Sequence, residues 1–230
     1  MRLSDDEHDS EEAAAAWGYP SPEEPRWPAT LALVSALVIY IRLPDRLTPG
    51  PQFLVPVLEL ALLIPLVIAS PKGITARSAK LRWVSIGLIA LVNAANGASL
   101  ILLVRFLLHG GQANGRTLIR AGIGIWVTQV LVFALWYWEV DRGGPVARCS
   151  PRHGPPDLLF PQMQLPAAIG RGWYPRFWDY LYVSLTNSTA FSPTDTMPLT
   201  VTAKLIMGAQ SLVSLTTIAI VGSRAVNILS

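Results

Sequence analysis

The chain has 230 residues, of which 51% are hydrophobic and only 14% charged. A soluble domain of this length carries about 25% charge, and the apolar residues here come in long blocks, so composition excludes an ordinary water-soluble globule. The net charge of +3 conceals an acidic start followed by a basic remainder.

Residues 1–27 hold Asp5, Asp6, Glu7, Asp9, Glu11, Glu12, Glu23 and Glu24 against Arg2 and Arg26. A segment so acidic and so rich in Ala and Pro buries too little apolar surface to order itself, which predicts a disordered cytoplasmic tail. Such a tail is also a candidate recruitment site for a cytoplasmic partner. A negative start does not fit a cleaved secretory signal, so the first apolar run is expected to remain as a membrane span.

A hydrocarbon core about 30 Å thick needs about 20 mostly apolar helical residues. Residues 28–43, 52–69, 81–108, 118–139 and 203–229 meet or approach this length, and backbone in lipid must bond internally, so each reads as a helix. A sixth segment, 176–192, lies between Pro175 and Pro193 and carries Asp179, Ser184, Thr186, Asn187, Ser188 and Thr189. It is either a short polar crossing or a half-helix that enters and returns. The expected fold is an all-α polytopic transmembrane bundle of about six spans over 28–230, with a basic Pro/Gly-rich loop at 142–176. Trp27, Trp83, Trp136, Tyr137, Trp138, Trp173, Tyr174 and Trp178 fall near span ends, where headgroups favour amphipathic rings.

Lys72, Arg77, Lys80 and Arg82 crowd one short loop, and Arg142, Arg148, Arg152, Arg171 and Arg176 mark the long one. The positive-inside rule places both loops in the cytoplasm. Six spans then put both termini there too, in the plasma membrane. The same rule favours a true crossing for 177–191, with Ser192–Pro198 as a tight external turn. A re-entrant segment in the usual channel orientation would put both basic loops outside.

Glu59 lies mid-span between Pro56 and Pro65, and an ionisable residue there reads by default as functional or as buried polar glue. It is expected to face the bundle interior and meet Asn93, Asn96 or Gln129. Asn93 and Asn96 share one helix face at i and i+3. Amides at this depth bond across helices or line a polar path. Cys149 is the chain's single cysteine, so no internal disulfide forms. With only His153 nearby, it falls short of a zinc ligand set. No nucleotide-binding, metalloprotease or nucleophile-elbow motif occurs, so no cofactor, metal or enzymatic activity is expected. The basic residues sit at membrane borders and suit the lipid bilayer, with no nucleic acid as partner.

The region from Asp179 to Asn227, with Tyr-x-Ser-x-Thr, Ser-Pro-Thr-Asp and a final Ala-Val-Asn, resembles a bacterial family of membrane proteins of unknown function (domain-of-unknown-function family 1345). That resemblance supplies no activity. The order of long helix, short helix, Thr-rich turn, Asp and long helix is also similar to the pore module of tetrameric potassium channels. It implies Thr189 at the filter threonine and Asp195 at the acid that follows. Ala190, Phe191, Ser192 and Pro193 depart from the glycines that let filter carbonyls face an ion. The expected function is a channel-like or transporter-like conduit, as a homo-oligomer, with Glu59, Asn93, Asn96, Gln129, Thr186, Asn187, Ser188, Thr189 and Asp195 along its path. The alternative is a non-conducting scaffold or accessory subunit that recruits a partner through its acidic tail.

Overall fold

The computed structural model describes residues 24–51, 53–68, 79–109, 115–150, 154–164, 173–189 and 195–229. The acidic tail up to Glu23, most of the 70–82 loop, Arg152, His153, Arg171 and the 190–193 stretch lie outside the described residues. The long helices are α1 (Trp27–Ile41), α2 (Leu54–Ile68), α3 (Ala79–Leu108) and α4 (Gly115–Val140). After α4 come two single-turn helices, α5 (Pro145–Arg148) and α6 (Pro161–Gln164), then α7 (Phe177–Thr189) and α8 (Val201–Leu229). Three of these helices are long and apolar enough to cross a membrane, at Arg82–Leu108, Gly115–Gly143 and Val201–Ser223. The structure is mostly helical, and its strands are two-residue pieces, β1 (Leu158–Leu159) and β2 (Met197–Pro198), paired antiparallel.

The bundle has two ends. At the head, Arg26, Ser85 and Trp138 line one crevice. At the foot, Leu43 meets Thr117, and Leu107 meets Leu118 and Val221. α1 and α3 therefore run from head to foot and α4 runs back. α4 is central and packs against α1, α3, α7 and α8. Its contact with α8 is close, because a Cβ at Gly122 would overlap the Val221 side chain. One buried cluster joins Ala32, Leu88, Val132, Leu135, Phe177 and Tyr180, and a second, nearer the foot, joins Tyr40, Leu47, Leu103, Leu118 and Ile125. Trp27, Leu31, Val38 and Ile41 on α1 and Leu205, Leu212 and Leu215 on α8 point outward. Outward apolar rows like these suit lipid or a neighbouring subunit.

α7 does not run antiparallel to α8, as the expected crossing requires. It starts at the head, where Phe177 packs edge-on against Trp138 with ring centroids 6.2 Å apart, a spacing usual for ring pairs. α8 starts at the head too, since β2 pairs with β1 beside the end of α4. Ser184 bonds Gln210, and further along Ser188 bonds Ser214. Both helices thus advance together, and α7 and α8 are parallel. At about 1.5 Å per residue, the 13 residues of α7 cover roughly 20 Å, short of a full crossing. Of the expected turn Ser192–Pro198, the described part from Asp195 on lies at the head beside β1, and Asp195 is exposed there. Arg26 and Val221 lie at opposite ends of the bundle.

The aromatic belt is only partly realised. Trp27, Trp83 and Trp178 are exposed at the head, and Trp27 packs on Trp178 with ring centroids 6.1 Å apart. Tyr137 and Trp138 are instead core residues, because the second half of α4 is enclosed by its neighbours.

Candidate functional site

The half-depth helix α7 is held at its start by a polar knot at the head. Arg142 adopts a left-handed φ of 53°, and Gly143 and Gly144 follow at 82° and 96°. That turn reverses the chain after α4 and leaves no room for a side chain at Gly144, where a Cβ would sit 2.9 Å from the Glu139 carbonyl. Asp141 then becomes a hub. Its carboxylate accepts the Tyr180 hydroxyl at 2.6 Å and the Asp157 backbone N–H at 2.9 Å. Asp157 in turn accepts the Thr200 hydroxyl at 2.6 Å and, at its carbonyl, the Leu199 N–H at 2.9 Å. Thr200 also caps α8 by accepting the Ala203 N–H at 3.2 Å. One carboxylate pair therefore fixes the start of α7 and the start of α8 to the end of α4.

Arg148 closes the knot. It donates to the Trp138 and Asp141 carbonyls at 2.7 and 2.9 Å and to Glu24 at 3.0 Å, with its guanidinium 5.0 Å from the Tyr180 ring centroid. Burial alone would lower its pKa. The opposing influence of Tyr180, Glu24 and Asp141 wins and holds it above the ordinary arginine value. Arg148 is therefore a permanent buried cation that pins the N-terminal segment to α7.

Beyond the knot, α7 is bonded along its flank. Gln210 of α8 is the centre. Its amide donates to the Ser184 hydroxyl at 2.7 Å, the Ser184 carbonyl at 2.9 Å and the Ser188 hydroxyl at 2.6 Å. Its oxygen accepts from Asn187 at 2.9 Å and from the Tyr137 hydroxyl. Asn187 also donates to the Met207 carbonyl at 3.0 Å, and Ser211 donates to the Asn187 oxygen at 3.1 Å. Ser184 donates to the Val130 carbonyl at 2.7 Å, and Gln129 donates to the Gln210 carbonyl at 2.9 Å. Lower down, the Ser214 hydroxyl donates to the Ser188 carbonyl and accepts from the Trp126 indole at 3.0 Å.

This geometry brings Gln129, Asn187 and Ser188 together and leaves the other candidates apart. Thr186 and Thr189 donate to carbonyls of their own helix, at 2.9 Å to Tyr182 and 2.8 Å to Thr186. Asn96 donates to the Ile125 carbonyl at 3.2 Å, and Asn93 is half-buried on the same helix. Glu59 faces the interior but does not bond the amides expected of it. Its ionisable neighbour is Tyr40 on α1. Among the described residues, Glu59 Oε1, Tyr40 Oη and Ser99 Oγ are buried without a hydrogen-bond partner. Sequence reading missed Tyr137, Gln210 and Trp126. A lone amide mid-span, as at Gln210, was a usable signal. Trp126, far from either end of its helix, was another, because interfacial tryptophans belong at the ends.

Chemically, α7 aims its C-terminal carbonyls into the middle of the bundle. The last four carbonyls of a helix lack intrahelical donors, and the macrodipole puts partial negative charge there. Such an end attracts a cation and repels an anion. No group of His, Cys, Asp and Glu suited to a metal occurs among the described residues. No protein-family model, curated protein or solved structure matches this chain.

Proposed function

We propose that this protein is a subunit of a homo-oligomeric conduit for cations in the bacterial plasma membrane, with α7 as a re-entrant half-helix. One observation carries the reading: α7 and α8 start at the same end and run parallel. Non-helical backbone survives at membrane depth only when protein covers it or water wets it. In a single copy α7 (Trp178, Tyr182, Leu185) and α8 (Leu205, Leu212, Leu215) keep exposed apolar faces. Copies packed through these faces would close around a shared axis. The negative end of the α7 dipole sets the sign of the permeant ion. The similarity to the potassium-channel pore module supports the same order of parts, whereas the absence of filter glycines argues against a carbonyl cage selective for potassium.

Arg82, Arg142, Arg148 and Arg176 lie at the head, so the positive-inside rule assigns it to the cytoplasm. The chain then makes five crossings and one re-entry from the cytoplasmic side. The N-terminus stays cytoplasmic and the C-terminus becomes external, in place of the six-span arrangement with both termini inside.

Purified full-length protein in planar bilayers tests the reading. Currents that reverse with a cation gradient and ignore an anion gradient are expected. Silence with potassium, sodium and ammonium salts, from protein shown to be oligomeric, would refute it. That outcome would favour a non-conducting scaffold, a reading supported by one observation: Gln210, Ser184 and Ser188 are fully buried and bond one another, as structural glue would.

A further inference from the structure

A cavity of about 480 Å³ opens at the foot between the end of α1 and the start of α4. Ile39, Leu43, Ala121 and Gly124 form its apolar side, and Arg42, Arg120 and Thr117 its polar side. None of these residues takes part in the polar network around α7. Arg42 and Arg120 are exposed, and among the described residues neither makes an ion pair. Gly124 lets α1 approach α4 closely beneath the arginines, since a Cβ there would stand 3.1 Å from Ile39 Cγ2.

We propose that this cavity binds an anionic phospholipid, with its phosphate between Arg42 and Arg120 and one acyl chain along Ile39, Leu43 and Gly124. Each part has a physical reason. Guanidinium groups match phosphate oxygens in fork geometry. The first turn of α4 adds the positive end of a helix dipole on the same side, where Thr117 offers a hydroxyl. Ile39 and Gly124 lie toward the bilayer core from the arginines, the order in which a lipid presents headgroup and chain. A free phosphate ion would need only the polar half and would leave the apolar side unexplained. The inference is independent of conduction.

The test uses full-length protein in mild detergent and native mass spectrometry. Phosphatidylglycerol, phosphatidylcholine and inorganic phosphate serve as probes. Phosphatidylglycerol should be retained in clear preference to phosphatidylcholine. Arg42→Gln and Arg120→Gln should each lower that retention about fivefold, the effect of one basic group near an anionic headgroup. Gly124→Leu, which fills the apolar side without changing charge, should abolish lipid retention. Equal retention of both lipids, or arginine variants that bind like the parent, overturns the proposal. Competition by inorganic phosphate that survives Gly124→Leu, with no lipid preference in the parent, also overturns it and assigns a free-anion site. Should Gly124→Leu fail to fold, the two exposed arginine variants decide the matter alone.

Discussion

Gln210→Met keeps the volume of the side chain and removes every hydrogen bond the side chain makes. In the native protein, Gln210 links α8 to Ser184, Ser188 and Asn187 on α7 and to Tyr137 on α4. Polar contacts between helices in a bilayer average about 0.6 kcal/mol, with an upper range near 1.7. Four side-chain bonds at that average give roughly 2–3 kcal/mol for the substitution. Tyr137 and Asn187 still reach each other at 3.3 Å, which limits the loss. The assay is reversible unfolding in mixed micelles with increasing dodecyl sulfate, followed by tryptophan fluorescence. A double-mutant cycle with Ser188→Ala should return a coupling near 0.6 kcal/mol. A loss below about 0.5 kcal/mol, or additive single effects, would show that Gln210 does not anchor α7.

Three further outcomes are expected. In a Cys149→Ser background, cysteines at Gly154 and Asp195 should label from one side of the membrane and a cysteine at Ser223 from the other; labelling of 154 and 195 from opposite sides would restore the crossing. Gly122→Ala should cost about 1–3 kcal/mol, because the new methyl overlaps Val221, and Val221→Ala should recover most of that loss. Arg148→Met should cost about 3–5 kcal/mol by stranding the buried Glu24 carboxylate, and Glu24→Gln in the same chain should recover part of it; equal stability of the single and double variants in micelle unfolding would contradict the ion-pair role.

The long helices were legible because α3, α4 and α8 are apolar for whole spans, a pattern that length alone resolves. The bounds of α7 were legible as well, since Pro175 and Pro193 bracket it and Asp179 accepts the Arg176 N–H at 2.7 Å to start it. Its direction was not. The charge rule counts loops and assumes that each hydrophobic segment crosses. What returns the chain is the pairing of Leu158 with Pro198 and of Leu159 with Met197. Such short pairs between distant segments carry no periodicity to detect. Asp141 was hidden for a similar reason. Beside Arg142, at the end of a span, it looks like a solvated interface charge, yet it is almost fully buried.

The placement of these bonds bears on mechanism. The start of α7 is tied to three elements through Asp141, Arg148 and Asp157, and its flank is tied through Gln210 and Ser214. The last turn differs: Thr186 and Thr189 spend their hydroxyls on carbonyls of α7 itself. A helix anchored this way has a rigid base and a tip held on one side only. Local stability follows the density of buried contacts, so the tip is where an ion, a neighbouring subunit or a change in packing can act at least cost. The polar residues that looked like a path are thus divided by position. Ser184, Asn187, Ser188 and Gln129 hold the helix, and on the proposed reading the carbonyls of the last turn that Ser214 does not occupy are the ones left to meet a cation.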